Sequence, residues 1–136
     1  VRIRQAGGKV WFDPKIRCIY FSRKNLKELA KQYWRYGFWK LQMLKRYPAT
    51  IRWRQALPPL FVLANILGVI LSFFNKTIAY SYFGLVGVYV LILWIAGFRE
   101  AIKRKQPALV WGLPAAVATM HLSWGMGFLF GTFRKQ

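Results

Sequence analysis

Acidic residues are scarce in this chain. Three Asp or Glu residues stand against 22 Lys or Arg, and the net charge is +19. Paired-carboxylate catalysis needs two acids that converge on a substrate, and no such pair is visible. A single cysteine, Cys18, and a single histidine, His121, exclude an intramolecular disulfide and any Cys/His metal motif. No glycine-rich phosphate loop occurs either. These absences argue against catalysis by these 136 residues alone.

Long stretches without charge are what the chain has instead. No Asp, Glu, Lys or Arg occurs in residues 55–75, 77–98 or 106–133. A helix needs about 20 mostly apolar residues to cross a bilayer. We therefore predict a transmembrane domain over residues 56–136, with spans at about 56–74, 78–98 and 108–133.

The basic residues indicate an orientation. The first 55 residues contain 15 of the 22 Lys or Arg, and the segment 99–106, which we interpret as a loop, contains four more. Because positively charged segments stay on the cytoplasmic side, we expect both to be cytoplasmic. Three crossings would then place the tail 134–136 on the opposite side.

The N-terminal residues 1–23 predict two short strands. Lys9–Phe12 and Ile16–Phe21 are rich in strand-forming residues and are separated by the turn dipeptide Asp13-Pro14. Two short strands do not form a stable sheet alone. The chain also begins at Val1, without a methionine or a secretory signal. We therefore expect a piece of a longer protein, in which these strands complete a sheet that precedes Val1.

Residues 24–55 predict a basic amphipathic helix and a linker. The helix is expected from Leu26 to about Arg46, with Asn25 as N-cap and Glu28 three residues later. Its apolar residues form one stripe, and basic residues and tryptophans lie mostly off that stripe. This pattern is typical of a helix in the membrane interface. We expect anionic lipid headgroups, and not nucleic acid, as its partners.

A short stretch of this helix is the candidate substrate-binding site. Gln32 and Arg35 are three residues apart and lie on the same side of a helix. A guanidinium suits phosphate, and the ring of Tyr36 is adjacent. The surface suits a phosphorylated, sugar-like or lipid-headgroup ligand. From the residues alone, a simple solvated helix face is the alternative.

The third predicted span contains polar and small residues. We favour a neutral His121, hydrogen-bonded to a neighbouring span, over a functional intramembrane site. Gly127 and Gly131 have the G-x-x-x-G spacing that lets another helix approach closely.

Several short motifs follow one another along the whole chain. They are Gly8-Lys9, Asp13-Pro14, Tyr20-x-x-Arg23, Leu26, Gln32-Tyr33-x-x-Tyr36-Gly37, Lys40, Pro58-Pro59-Leu60 and His121-Leu122-Ser123-Trp124-Gly125-x-Gly127-Phe128. In order and spacing they resemble the C-terminal third of family 2 glycosyltransferases, and most of all the membrane-bound type of succinoglycan biosynthesis.

The resemblance implies an activity and a set of ligands. In this family a cytoplasmic α/β domain that binds the nucleotide-sugar precedes such a segment, at the bacterial cytoplasmic (inner) membrane. Many members carry Q-x-x-R-W, whose Gln and Arg lie near the donor's pyrophosphate and whose Trp helps form the acceptor site. Gln32, Arg35 and Tyr36 match that motif, with tyrosine in place of tryptophan. The family's Asp-x-Asp, its catalytic-base aspartate and hence its divalent metal (Mg or Mn) are expected only in the full-length enzyme.

We therefore expect a mainly α membrane protein, with an amphipathic interfacial helix and about three transmembrane helices after the two strands of a truncated α/β (GT-A-like) domain. Its expected function is the C-terminal membrane anchor of a glycosyltransferase. That enzyme would transfer a sugar from a nucleotide-sugar to a lipid-linked or glycan acceptor, and this part would be inactive alone. The alternative is a small non-enzymatic membrane scaffold or assembly protein with a basic lipid-binding arm.

Overall fold

Helices form the regular structure of the chain. A computed structural model describes residues 2–50 and 53–133. Within those ranges the helices are α1 (Arg2–Gln5), α2 (Leu26–Arg46), α3 (Leu57–Ser72), α4 (Lys76–Arg104) and α5 (Leu109–Phe133). Single 3-10 turns at Pro48–Thr50 and Trp53–Gln55 connect α2 to α3. The mainly helical fold class is confirmed.

Helix α2 has the predicted bounds because its ends are determined by local chemistry. The Asn25 side chain accepts a hydrogen bond from the Glu28 backbone N–H at 2.9 Å and caps the first turn. The Glu28 carboxylate in turn accepts from the Lys24 N–H at 3.4 Å. At the other end Tyr47 precedes Pro48, and a residue before proline is disfavoured in the helical conformation.

Helices α3 and α4 form an antiparallel hairpin with a short turn. Pro58 and Pro59 lie in the first turn of α3, where no intrahelical N–H bond is lost. The Asn75 side chain caps α4 by accepting from the N–H groups of Thr77 at 2.8 Å and Ile78 at 3.3 Å. The turn is therefore three residues long, 73–75.

The segment 99–106 is mostly helical, which corrects the predicted loop. Helix α4 continues past the apolar run to Arg104, where the Arg104 Nε lies 2.8 Å from a carboxylate oxygen of Glu100, one turn earlier. Lys105 ends the helix in the left-handed conformation, with φ 54°, and Pro107 follows. The loop was predicted from the charged residues of this segment, but Lys, Arg and Glu are also good helix formers.

The two short strands predicted at 9–12 and 16–21 are not formed in the described residues. Only the predicted turn between them is present, where Asp13 accepts from the N–H groups of Lys15 and Ile16. Without neighbouring strands, a pair of short strands lacks the packing that stabilises a sheet. Apolar side chains of this segment are strongly exposed, with Trp11 at 90% and Phe12 at 84%.

Three helices are long and apolar enough to cross a membrane. These candidate spans are Trp53–Ser72, Lys76–Arg104 and Leu109–Phe133, and they agree with the three predicted spans. The side chains of α4 are mostly exposed, as expected of a helix whose surroundings are apolar, whereas most of those of α5 are only partly exposed.

The apolar stripe of α2 packs on α5, and glycines permit the contact. A Cβ atom on Gly37 would overlap the Trp124 carbonyl oxygen, and one on Gly127 would overlap the Trp34 carbonyl oxygen. The Trp34 ring also lies 5.5 Å from the ring of Phe130. The close helix approach predicted from the glycine spacing is therefore confirmed, and its partner is the amphipathic helix of the same chain.

The end of α5 is bound to the end of α2. The Gly131 carbonyl oxygen accepts from Lys45 Nζ at 2.9 Å and from Gln42 Nε2 at 3.3 Å. Gly131 is in the last turn of α5, whose carbonyls lack intrahelical partners and attract cations. The hydrocarbon core of a bilayer is about 30 Å thick. The end of α5 therefore lies much less than one bilayer thickness from Lys45. The tail itself lies outside the described residues.

We expect Gly127→Ala to destabilise the protein, because the added methyl group meets the Trp34 backbone. Such overpacking costs about 1–3 kcal/mol. Gly112→Ala is the matched control in the same helix, since a Cβ there has no neighbour within 4 Å among the described residues. Thermal unfolding in detergent should show a lower midpoint for Gly127→Ala alone. Equal midpoints for the two variants would contradict the packing of α2 on α5.

Cysteine labelling tests the side of the membrane on which α5 ends. The single native cysteine, Cys18, is exposed, and Thr132→Cys in a Cys18→Ser background places a thiol one residue after Gly131. Because Gly131 is bound to Lys45, a membrane-impermeant maleimide should label both positions in vesicles of the same orientation. Labelling in opposite orientations would show that α5 crosses the bilayer completely.

Candidate functional site

A polar cluster lies on the first half of α2, away from the α5 contact. The amide of Gln32 is its centre, with three hydrogen-bond partners. Gln32 Oε1 accepts from Arg23 Nε at 2.8 Å, and Gln32 Nε2 donates to the hydroxyls of Tyr36 at 2.6 Å and Tyr20 at 3.3 Å. We call Tyr20, Arg23, Gln32 and Tyr36 the Gln32 cluster.

Local geometry brings these four side chains together. Gln32 and Tyr36 are one helical turn apart and therefore neighbours on the α2 surface. Tyr20 and Arg23 come from the segment just before the helix, which reaches α2 at the Asn25 cap. The hydrogen bonds to Gln32 hold that segment along the first turns of the helix.

The cluster is accessible and strongly basic. Tyr20 is 72% exposed and Tyr36 is 53% exposed, while Gln32 is half-buried. Arg35 is exposed and makes no hydrogen bond or ion pair with another described residue. Lysines 24, 27 and 31 are close by in sequence, against the single acid Glu28. An anionic ligand is therefore favoured here.

The predicted site residues have different positions. The structure brings Gln32 and Tyr36 together, whereas Arg35 lies beside the cluster without a direct contact. Sequence reasoning missed Tyr20 and Arg23 as members. The Tyr20-x-x-Arg23 motif pointed to these two residues, but residues 16–21 were predicted to form a strand in a sheet that precedes Val1. The substrate-binding role of Gln32, Arg35 and Tyr36 stays a prediction.

A second polar group lies between the candidate spans. His121 Nδ1 is 3.0 Å from the hydroxyl of Tyr89 on α4, which confirms the predicted hydrogen bond to a neighbouring helix. The Tyr82 hydroxyl donates to Asn65 Oδ1 at 3.1 Å. These pairs satisfy polar groups that would otherwise be costly in an apolar environment.

An open groove runs over these pairs, between α3, α4 and α5. One part has a volume of about 470 Å³ and is lined by Leu57, Pro58, Leu60, Phe61, Ala64, Tyr89 and His121. The adjoining part has about 410 Å³ and shares Phe61, Ala64 and Tyr89 with the first. We call both parts together the α3–α4 groove. Its lining is mostly apolar.

A divalent metal does not fit the residues at hand. Among the described residues, no three His, Cys, Asp or Glu side chains are grouped closely enough to hold one. Glu28 is the acid nearest in sequence to the Gln32 cluster, and its carboxylate accepts from the Lys24 N–H. We therefore assign no metal-dependent step to these residues.

Two curated proteins are similar to nearly the whole chain. The succinoglycan biosynthesis protein ExoA of Rhizobium meliloti is 31% identical over 129 residues, which cover 93% of this chain and 37% of that protein. The dolichyl N-acetyl-alpha-D-glucosaminyl phosphate 3-beta-D-2,3-diacetamido-2,3-dideoxy-beta-D-glucuronosyltransferase of Methanococcus voltae is 26% identical over 128 residues, covering 94% of this chain and 36% of that protein.

These matches support the resemblance found in the motifs, at the level of a glycosyltransferase-related C-terminal region. The chain spans little more than a third of the length of the two relatives. No protein-family model matches the chain, and no solved structure matches it.

We expect Gln32→Leu to release the segment before α2, because leucine keeps the side-chain volume and removes all three hydrogen bonds. Net bonds of about 1 kcal/mol each predict tryptic cleavage after Arg23 that is faster by roughly 5-fold or more. Lys31→Ala, the exposed neighbouring residue outside the cluster, is the control. Cleavage after Arg23 at the wild-type rate would show that Gln32 does not hold this segment.

Proposed function

We propose, from its relation to the C-terminal region of glycosyltransferases, that this chain is the membrane-anchoring part of such an enzyme. The longer enzyme would transfer a sugar from a nucleotide-sugar donor to a lipid-linked or glycan acceptor. We place the reaction at the cytoplasmic face of the bacterial inner membrane, with residues 1–55 inside. The metal, Mg or Mn, and the catalytic base belong to the remainder of that enzyme.

One observation carries this proposal: the two faces of α2 have different partners. The apolar face packs on α5 through Gly37, while the other side carries the basic Gln32 cluster and the exposed Arg35. A helix arranged in this way presents basic groups suited to phosphate on one side, while its opposite side is packed on a candidate membrane span. Donor and lipid-linked acceptor meet at such a boundary.

Arg35 has the chemistry that sugar transfer needs from this surface. A guanidinium can bind two phosphate oxygens at once, and it would offset the negative charge that develops on a departing nucleoside diphosphate. An arginine without an acidic partner keeps its full charge for that purpose. The tyrosine at 36, bonded to Gln32, orders the same stretch of helix.

The α3–α4 groove supports a lipid-linked acceptor over a soluble one. It is mostly apolar, it is open, and it begins at Leu57 and Pro58, the first turn of α3. A hydrocarbon chain in this groove would contact Phe61 and Ala64. The name of the Methanococcus relative refers to a dolichyl phosphate substrate, which is a lipid of that kind. Anionic lipid headgroups are the further partners we propose for the basic side chains of α2.

We expect Arg35→Ala in the longer enzyme to lower sugar transfer by roughly 10- to 100-fold, since a charge-assisted hydrogen bond contributes about 1.5–3 kcal/mol. Membrane insertion should be unchanged, because the Arg35 side chain is exposed and lies outside the candidate membrane spans. Arg17→Ala removes the same charge at an exposed position outside α2 and outside the Gln32 cluster, and it is the control. Transfer from a radiolabelled donor to membrane lipid measures both variants.

Near-normal transfer by Arg35→Ala would refute the site. If the longer enzyme keeps its full activity when both Gln32 and Arg35 are replaced, only a scaffold role remains for this chain.

Filling the groove tests the acceptor. We expect Ala64→Trp to raise the KM for a lipid-linked acceptor several-fold and to leave the KM for the donor unchanged, because residue 64 lines both parts of the groove. Leu67→Trp, on the same helix and 55% exposed outside the groove lining, is the matched control. Equal acceptor KM values for the two variants would exclude the groove as the acceptor site.

A further inference from the structure

We propose that Arg23 is a second diphosphate-binding residue, and that Gln32 acts by holding it in place. The proposal rests on the proposed function and deepens it, because it assigns roles in the same site. Its ligand is a diphosphate group, which occurs in nucleoside-diphosphate sugar donors and in those lipid-linked acceptors that carry a diphosphate. Arg35 and Arg23 would then bind one diphosphate from the two sides of Gln32.

The hydrogen bond to Gln32 uses only the Nε–H of Arg23. A guanidinium has five N–H donors, one on Nε and two on each terminal nitrogen. Gln32 Oε1 takes the Nε–H at 2.8 Å. The four N–H groups of the terminal nitrogens make no hydrogen bond with the described residues. Those terminal groups can donate in parallel to two phosphate oxygens.

The amide of Gln32 holds Arg23 without reducing its charge. A carboxylate at this position would form an ion pair and cancel the positive charge, as Glu100 does for Arg104. An amide oxygen is neutral, so Arg23 remains available to an anion. The two neighbouring hydroxyls, of Tyr20 and Tyr36, are also neutral partners.

The orientation of the Gln32 amide is determined by its other bonds. Its Nε2 has two hydrogens, and these are used by the hydroxyls of Tyr36 and Tyr20. The Oε1 atom is therefore directed at Arg23 and not at a ligand. With both donor hydrogens occupied, Gln32 has no N–H left for a phosphate. We infer that it is a positioning residue and that Arg23 makes the contact.

Two arginines match the charge of the ligand. A diphosphate has more than one negative charge, and a single guanidinium does not neutralise it. Arg35 is one turn from Gln32 on α2, and Arg23 is one hydrogen bond from the same amide. The exposure of both side chains lets a ligand reach them. The arrangement also explains why the segment before α2 is held against the helix.

Steady-state kinetics of the longer enzyme tests the assignment. We expect Arg23→Ala to raise one substrate KM on the order of 10-fold, as for the loss of one charge-assisted contact. Arg17→Ala, an exposed arginine of the same segment outside the cluster, is the control and should change neither KM. A rise in the donor KM identifies the nucleotide diphosphate as the ligand, and a rise in the acceptor KM identifies the lipid diphosphate.

A double-mutant cycle tests the role of Gln32. We expect Gln32→Leu to raise the same KM by a smaller factor than Arg23→Ala, and the double variant to be no worse than Arg23→Ala alone. Arg23→Lys should recover only part of the affinity, because lysine keeps the charge and loses the Nε bond and the fork of donors. Fully additive effects would refute the positioning role.

Binding of inorganic pyrophosphate to the longer enzyme, measured by calorimetry, provides a readout that does not need turnover. Its Kd should rise on the order of 10-fold for Arg23→Ala and stay unchanged for Arg17→Ala. A normal Kd and normal KM values for Arg23→Ala, together with impaired Arg35→Ala, would overturn this inference and leave the proposed function intact. Normal values for both arginine variants would overturn the proposed function of the site.

Discussion

The close contact between α2 and α5 is the constraint on which the other features depend. Gly37 and Gly127 each lack the side-chain atoms that would collide with the backbone of the opposite helix. Small residues at such a contact let two helices gain van der Waals packing along their length, which is the main attraction between helices in an apolar environment. The contact fixes the rotation of α2 about its own axis. Rotation matters because the Gln32 cluster lies on the side of α2 away from α5.

A basic helix held in this way links two kinds of chemistry. Its contact with α5 is mostly apolar. At one end of that contact, Lys45 donates a hydrogen bond to the Gly131 carbonyl. The Gln32 cluster on its accessible side includes Arg23 from the preceding segment, whose hydrogen-bond partner is a neutral amide. Positive charge is therefore kept available for an anion beside the apolar helices. This is the physical basis for the proposed recognition of a phosphorylated ligand by this surface.

Predictions from sequence were accurate where a single local cause decides the structure. The start of α2 follows from the Asn25 cap, and its end follows from Pro48. The candidate spans follow from charge-free runs, because an apolar stretch of that length has few other environments. Predictions failed where a local signal has two meanings. The charged segment 99–106 was interpreted as a loop, yet Glu100 and Arg104 pair within a helix. Residues 16–21 were interpreted as a strand because they are rich in strand-forming residues, although a strand requires neighbours.

Residues close together in the chain are enough to predict the helices, their apolar lengths, the excess of positive charge and the motif that contains Gln32 and Arg35. The identity of the helix that covers the stripe of α2, the position where α5 ends and the side chains that meet Gln32 depend on long-range contacts. Tyr20 is 12 residues from Gln32, and Lys45 is 86 residues from Gly131. Such contacts depend on how the chain folds back on itself and on where small residues let two helix backbones approach. No local sequence pattern encodes either one.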